Sequence, residues 1–223
     1  MVTNMKKFLN NLKKCPLFLD VADDNIIAIL GCLKARTEIF DKNYTILSEG
    51  TPAKYIGVVL SGSVQITRMD YYGNRSILGN ICEGELFAEA FACMQTDTMP
   101  VSVIANETTE VMFIDCNNIL HTCQNDCPHH RQLIYNLMKV LALKTIMFQQ
   151  KIQVISKRTT REKLMEYLTI CAKKNNKNSF KIPFTRQELA DYLEVDRSGL
   201  SAQISKLRKE GVLECRRNHF RLL

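Results

Sequence analysis

The sequence predicts an α+β protein built in three successive parts, and three observations lead to that prediction. Short β-rich runs alternate with turn residues over positions 35–115, which is typical of a β-sandwich or roll. A helical pattern of about 27 residues follows Pro128. Two short helical patterns joined by a three-residue turn, and then a basic hairpin, indicate a winged helix-turn-helix. We place the three domains at 1–127, 128–156 and 157–223.

The first domain begins with a helical pattern over 8–34. Pro16 interrupts this pattern, and Asp23 or Asp24 is placed to cap its second segment. Seven β-rich runs follow: 37–40, 44–47, 56–60, 64–68, 76–81, 102–105 and 111–114. Because turn signals such as Glu49-Gly50 separate these runs, we expect seven or eight strands of a sandwich or roll.

The apolar residues of the long helix cover more than one of its faces. Beside a single β-domain, a monomer can bury only one side of a helix that is roughly 40 Å long. The second apolar side indicates a two-fold partner, so we expect a homodimer. Burial in a larger monomeric core is the alternative.

The segment 184–211 carries the local signals of a helix-turn-helix. Thr185 and Glu188 have the spacing of a capping box, and Asp196 is suited to cap the second helix. Three apolar residues of that helix share one narrow face that must point at the core: Leu200, Ile204 and Leu207. The opposite face carries small polar side chains, which permit the close approach that a DNA major groove requires. An ordinary helical hairpin with a solvated face is the alternative.

Positive charge is concentrated in the last third of the chain. Residues 156–223 hold 16 Lys and Arg against 8 Asp and Glu, whereas residues 1–155 hold 14 against 15. The basic turn at 216–219 is placed like a wing that touches phosphates. This asymmetry predicts that double-stranded DNA is the partner of the last domain.

Individual contacts to DNA follow from this arrangement. Four residues of the second helix are predicted to face base edges: Arg197, Ser198, Ser201 and Ser205. Six residues are predicted to contact phosphates: Thr185, Arg186, Gln187, Lys209, Arg216 and Arg217. Arg197 is the candidate for a guanine contact, because a guanidinium can donate two hydrogen bonds to that base.

The composition excludes several other classes of protein. No run approaches the roughly 20 apolar residues of a membrane span, and no secretory pattern opens the chain. Nine cysteines without framework-like spacing fit a reducing cytoplasm. The sequence has no nucleophile elbow, phosphate-binding loop or His-Glu-x-x-His motif, so we do not expect an enzyme. A regulatory nucleotide-binding subunit without a DNA role is a further alternative, which the basic last domain disfavours.

The order of these parts resembles the Crp/Fnr superfamily of bacterial transcription regulators over nearly the whole chain. The most specific matches are Leu60-Ser-Gly-Ser-Val64, Gly84-Glu-Leu-Phe-Ala-Glu89 and the segment 184–211. The resemblance implies a homodimer with a double-stranded β-roll, a jelly roll like that of cyclic-nucleotide-binding domains, which binds a small effector. Effector binding would rotate the paired DNA-reading helices to match two half-sites about one helical turn apart. RNA polymerase is an implied partner if the protein activates transcription.

The residues that would contact the effector differ from those of the cyclic-AMP-binding members. Glu89 occupies the position of their ribose-binding glutamate, but Pro100-Val101 stands where their phosphate-gripping Arg-Ser pair stands. Because the guanidinium supplies the strongest contact to the phosphate, cyclic AMP is not expected. A neutral or carboxylate effector, or none, is left open, and no cofactor is assigned. The resemblance implies seven effector-contacting residues: Phe87, Ala88, Glu89, Ala90, Val101, Ser102 and Phe148.

One cluster has the residue types that bind metals: Cys123-Gln-Asn-Asp-Cys127-Pro-His129-His130. It allows three interpretations, namely a partial zinc site, a redox-active thiol pair or two cysteines that only pack, and we assign no metal site. A thiol-redox regulator that switches through Cys123 and Cys127 is therefore an alternative to the effector-controlled one. The iron–sulfur members of the family carry a tight N-terminal cysteine cluster, whereas this chain has only Cys15 there, so such a cluster is not expected.

Overall fold

The computed structural model of the chain describes residues 8–120 and 128–223. These residues form two compact units. One comprises the described residues up to Thr145 except Met69–Ile77, and the other comprises Met69–Ile77 and Ile146–Leu223.

Short helical elements open the first unit: α1 (Leu9–Lys14), a 3-10 turn (Pro16–Phe18) and α2 (Asp23–Cys32). Pro16 interrupts the helical pattern as expected, because proline lacks an amide hydrogen and fits the first position of the next turn. The predicted aspartate cap is wrong, since α2 begins at Asp23 after Ala22 and no side chain caps it. Asp23 and Asp24 lie in the first turn instead, where their charges face the positive end of the helix dipole.

All seven predicted β-rich runs are strands, with ends within two residues of the expected ones. In chain order, this part of the chain comprises eight strands, one helix between β6 and β7, and one helix after β8: β1 (Arg36–Phe40), β2 (Thr45–Leu47), β3 (Tyr55–Ser61), β4 (Ser63–Met69), β5 (Arg75–Cys82), β6 (Leu86–Phe87), α3 (Glu89–Met94), β7 (Ser102–Ala105), β8 (Thr109–Asp115) and α4 (Cys116–Leu120). The additional strand β6 has only two residues, and pairing with β3 defines it, with Gly57 opposite Phe87 and Val58 opposite Leu86.

These strands form two four-stranded sheets, in the orders β1-β8-β3-β6 and β2-β7-β4-β5. Residues of both sheets meet in an apolar core that includes Val59, Val64 and Phe113. Ile56 and Val58 alternate with Val59 along β3 and belong to a second core, which the first sheet shares with the helices. The strand β3 is therefore buried on both faces, and the two sheets together form a β-roll.

Two glycines allow the close contacts of this roll. A Cβ on Gly57 would lie 2.1 Å from the ring of Phe87, so only glycine lets that ring lie across β3. Gly62, in the turn between β3 and β4, has φ +80°, and a Cβ there would lie 2.7 Å from the Thr108 carbonyl oxygen. The sequence Leu60-Ser-Gly-Ser-Val64 thus has a structural reason, because its glycine combines a left-handed turn with a close approach of backbone.

The long helix α5 spans Pro128–Ile155, which is 28 residues and close to the expected length. One side of it buries Leu133, Leu137 and Val140 in the core that the first sheet shares with the helices of the first unit. Farther along, Val154 is buried in the core of the second unit. Within residues 8–120 and 128–223, no helix combines the length and the apolar character that a membrane crossing requires.

The second unit also contains α6 (Thr160–Asn175), β9 (Ser179–Lys181), α7 (Arg186–Leu193), α8 (Arg197–Lys209), β10 (Leu213–Arg216) and β11 (His219–Leu222). Its three strands have the order β10-β11-β9. The predicted capping box at Thr185 is present, with Glu188 as its second member. Leu200, Ile204 and Leu207 are buried, which confirms the inner face of α8. The C-terminal part is therefore a helix-turn-helix (α7 and α8) followed by a hairpin wing.

Candidate nucleic-acid interface and effector site

The helix α8 has a strongly capped N-terminus. The Asp196 carboxylate accepts a hydrogen bond from the Gly199 amide at 2.7 Å and another from the Ser198 hydroxyl. These two hydrogen bonds, that of Ser198 first, hold the pKa of Asp196 below its ordinary value. The cap fixes the direction in which the first residues of α8 leave the turn.

The serines on the outer face of α8 use their hydroxyl hydrogens within the protein. Ser201 donates to the Arg197 carbonyl oxygen at 2.9 Å, and Ser205 donates to the Ser201 carbonyl oxygen at 3.0 Å. Ser198 donates to the Asp196 carboxylate. Each hydroxyl oxygen keeps capacity as an acceptor. The major-groove atoms that suit such acceptors are the amino groups of adenine and cytosine.

Exposed cations surround this face of α8: Arg197, Lys206, Arg208 and Lys209. Within the part of the chain that the structure describes, their side chains have no ion-pair partner. A cation that lacks an internal counterion is available to an external anion.

The residues predicted to contact phosphates fall into two groups. Three are exposed and have no side-chain partner among the described residues: Lys209, Arg216 and Arg217. The other three already have partners in the chain. Thr185 caps α7, and Gln187 donates to Asp191 at 2.7 Å. Arg186 donates to the Arg217 carbonyl oxygen at 3.4 Å and lies over the ring of Phe220, so it braces the wing.

Among the residues predicted to contact an effector, Phe87–Ala90 include one buried carboxylate, that of Glu89. Glu89 begins α3 and is 3% exposed, and its Oε1 lies 2.7 Å from the Nζ of Lys144 in α5. Lys144 also donates to the Leu86 carbonyl oxygen at 2.5 Å. The Oε2 of Glu89 is buried and has no hydrogen-bond partner among the described residues. One carboxylate oxygen is thus paired from within the chain, and the other is left for a donor.

The other predicted effector contacts differ in their surroundings. Three of them are buried: Phe87, Ala88 and Val101. Ala90 is exposed, and the half-buried Ser102 accepts a hydrogen bond from the Glu49 amide at 3.0 Å. Phe148 belongs to the second compact unit and is 49% exposed. Glu89 is the one charged residue of the predicted set, so its chemistry dominates the site.

Sequence patterns did not predict roles for two lysines of α5, Lys144 and Lys151, although the helical spacing of Lys144 is a signal. Lys144 stands four residues after Val140, on the apolar face of the helix. Lys151 is 6% exposed; its Nζ donates to the Tyr192 carbonyl oxygen and lies 3.7 Å from the centre of the Tyr192 ring. Burial lowers the pKa of Lys151 to about 8.

Residues 8–120 and 128–223 hold no group of three or more His, Cys, Asp or Glu side chains that could bind a metal ion. Cys123 and Cys127 lie outside the described residues, so the interpretations of their cluster stay predictions. His129 is half-buried and His130 is buried.

Two protein-family models match the chain. The model of the cyclic nucleotide-binding domain matches residues 37–126, and that of the Crp-like helix-turn-helix domain matches residues 162–223. Transcriptional activator protein FnrA of Stutzerimonas stutzeri is 25% identical over 213 residues, which are 93% of this chain and 84% of that protein. Transcriptional activator protein anr of Pseudomonas aeruginosa is 26% identical over 204 residues, which are 89% of this chain and 80% of that protein.

Solved structures share the architecture. The c-di-GMP responsive global regulator CLP of Xanthomonas campestris has a TM-score of 0.71 at 19% identity, over 87% of this chain and 98% of that one. A CooA mutant from Carboxydothermus hydrogenoformans has a TM-score of 0.69 at 22% identity, over 86% of this chain and 85% of that one. These likenesses concern the fold: a β-rich N-terminal domain, a long helix and a C-terminal helix-turn-helix, the α+β arrangement that the sequence predicts.

Proposed function

This chain belongs to the Crp/Fnr superfamily of DNA-binding transcription regulators, and on that premise we propose that it acts as a homodimer whose affinity for specific DNA sites is set by a small effector in the β-roll. In this proposal residues 1–127 sense the effector, residues 128–156 join two copies, and residues 157–223 bind DNA. RNA polymerase is a further partner if the protein activates transcription.

The outer face of α8 supports this proposal most directly. Ser198 and Ser205 are short enough to let the helix enter a major groove, and their oxygens are free to accept from bases. Arg197, at the first turn, and Arg216, on the wing, are exposed without an internal counterion in the described chain. Base readout from α8 and phosphate contacts from the wing follow from this division.

The proposed dimer uses the side of α5 that faces away from Leu133 and Leu137. Four exposed residues there repeat at helical spacing: Tyr135, Met138, Ala142 and Ile146. Met138 is 63% and Ile146 is 52% exposed. A second copy of the same helix, related by a two-fold axis, would cover this row with its own.

We expect the double substitution Met138→Glu with Ile146→Glu to convert the dimer into a monomer, because it places like charges opposite each other across the two-fold axis. Sedimentation equilibrium measures the mass directly. Tyr71→Glu, at a loop residue that is 96% exposed, is the matched control and keeps the dimer mass. A double variant that retains the dimer mass would contradict the proposed interface.

The chemistry of the effector follows from Glu89. Its Oε2 lacks a donor within the described chain, so an effector with a hydroxyl or amide N–H group would complete the site. Cyclic AMP is not the effector in this proposal, because Pro100 and Val101 supply no guanidinium for its phosphate.

Mass spectrometry of small molecules that co-purify with the protein identifies effector candidates. Each candidate is then tested in a DNA shift assay with and without the compound, and cyclic AMP serves as the control. We expect a candidate to change DNA affinity and cyclic AMP to leave it unchanged. A shift that cyclic AMP alone produces would contradict the assignment of the effector class.

A further inference from the structure

Two thiols that the proposed mechanism does not use lie against each other in the first compact unit. Cys93 of α3 and Cys116 at the start of α4 have their Sγ atoms 3.2 Å apart. A disulfide holds its sulfur atoms about 2.05 Å apart, so this pair needs an approach of only about 1 Å. We propose that Cys93 and Cys116 form a reversible disulfide with a peroxide as oxidant, and that this bond regulates DNA binding. The regulatory half rests on the proposed function, whereas disulfide formation does not.

The two thiols differ in exposure and in pKa, as an attacking thiol and its resolving partner do. Cys93 is half-buried and open to a small oxidant, whereas Cys116 is buried. The hydrogen bond from Cys116 lowers the pKa of Cys93. The same hydrogen bond, together with burial, raises the pKa of Cys116. Because the thiolate is the reactive form, Cys93 is the residue that attacks the oxidant.

The reaction balances with a peroxide as the electron acceptor. The Cys93 thiolate attacks one peroxide oxygen, the O–O bond breaks, and the departing oxygen takes a proton to leave as an alcohol or, from hydrogen peroxide, as water. Cys93 is then a sulfenic acid. The Cys116 sulfur attacks the Cys93 sulfur, the S–O bond breaks, and the Cys116 proton leaves with the hydroxyl group as water. The two thiols have lost two electrons, and a thiol reductant reverses the step.

The disulfide would act on the helix that carries the effector-site carboxylate. Glu89 begins α3 and Cys93 lies one turn later on the same helix. A second contact already holds α3 near α4, since Gln95 donates to the Asn117 side chain at 2.7 Å. A covalent bond between Cys93 and Cys116 would lock α3 onto α4. It would thereby fix the helix whose Glu89 pairs with Lys144 of the long helix.

The disulfide is tested by peptide mapping of the full chain after treatment with hydrogen peroxide. Cleavage at glutamate releases residues 90–107, in which Cys93 is the sole cysteine, and separates them from Cys116. A background with Cys123→Ser and Cys127→Ser leaves Cys116 as the single cysteine of peptide 111–131, which cleavage after Glu110 and, by trypsin, after Arg131 releases. We expect these two peptides to be linked in most molecules and to separate in dithiothreitol.

Two variants make the result decisive. Cys116→Ser removes the resolving thiol, so we expect Cys93 to accumulate as a sulfenic acid that a dimedone probe traps. Cys32→Ser with Cys82→Ser removes two exposed cysteines and is expected to leave the linked pair intact. Failure of peptides 90–107 and 111–131 to link in the folded protein would overturn the proposal.

The regulatory half is measured by DNA binding of the same samples. We expect oxidation to change the Kd for DNA at least about fivefold, which is the lower end of typical allosteric couplings, and dithiothreitol to restore it. Cys93→Ser is expected to abolish the change. A linked pair with unchanged DNA affinity would overturn the regulation. If the reduced protein does not bind DNA at all, the proposed function fails, and the peptide map still decides on the disulfide.

Discussion

The helices α8 and α3 both present charge at a candidate site, but they differ in where the opposite charge is found. The cations on and around α8, such as Arg197 and Lys209, are exposed and have no ion-pair partner in the described chain. The carboxylate at the start of α3 is buried, and Lys144 of the same chain already pairs with it. The first surface is available to an external anion, whereas the second site already holds its counterion within the chain.

This difference determines what each site can bind. Unpaired surface cations cost little in the free protein, and they gain most from a polyanion whose counterions are released on binding. A buried carboxylate would be costly without Lys144, so the pair is part of the folded structure before an effector arrives. An effector at Glu89 must therefore use the remaining oxygen or displace a lysine.

Breaking the buried pair of Glu89 and Lys144 is expected to have the largest effect on stability. Lys144→Met should lower the free energy of unfolding by about 3 kcal/mol, because it leaves Glu89 buried without a counterion. Urea denaturation measures the change. Lys13→Met is the matched control, since Lys13 pairs with Asp23 at 2.6 Å on the surface. The cost there should be at most about 1 kcal/mol, because solvent screens an exposed pair. Equal costs at the two lysines would contradict the comparison.

A second substitution tests whether the lost stability comes from charge or from packing. Adding Glu89→Gln to Lys144→Met removes the orphaned charge, so we expect most of the lost stability to return. A double variant as unstable as Lys144→Met alone would show that Lys144 acts through packing instead of charge.

The pH dependence of stability tests the other buried lysine of α5. Burial lowers the pKa of Lys151 to about 8, whereas its ordinary value is 10.5. Between these values the unfolded chain binds more protons than the folded chain, so the free energy of unfolding should rise with pH. The slope contributed by this group is at most about 1.4 kcal/mol per pH unit.

Denaturation curves between pH 7 and pH 10.5 (roughly the window of that shift) compare the wild type with Lys151→Met. The variant should lose this rise, and the exposed Lys177→Met provides the matched loss of a lysine. Parallel pH profiles of stability for the wild type and Lys151→Met would contradict the lowered pKa of Lys151.

Base readout by α8 predicts an effect on sequence preference. Arg197→Ala should cost about 1–3 kcal/mol of discrimination at one base pair in each half-site, because it removes the guanidinium placed for guanine. Binding to a set of operator variants measures this, with Lys177→Ala as a charge-matched control, because Lys177 is exposed and precedes β9 instead of lying on α8 or in the 216–219 turn. An unchanged order of preferred sites in Arg197→Ala would remove the assignment.

The wing predicts the smallest effect, which concerns salt and not sequence. Arg216→Ala should weaken binding to all duplexes and lower the slope of log K against log salt concentration by about 1 for each half-site. Titrations at several salt concentrations measure the slope. An unaltered slope would mean that the wing does not contact the phosphate backbone.

The same two helices show what sequence patterns predict and what they do not. The caps at Thr185 and Asp196 and the inner face of α8 depend on residues within a few positions of each other, and all of them are as expected. The Glu89–Lys144 pair joins residues that are far apart in the chain, so only the packing of α5 on the roll reveals it. The strand β6 is likewise too short to have a pattern of its own.

Selection from a pool of random duplex DNA by the purified 223-residue chain, with and without the small molecules that co-purify with it, tests most directly whether two copies bind DNA together. We expect enrichment of an inverted repeat whose half-site centres lie about 10–10.5 base pairs apart, as two α8 helices of a two-fold dimer require. Pools that stay unenriched under both conditions, or that converge on a single site without two-fold symmetry, would contradict this expectation.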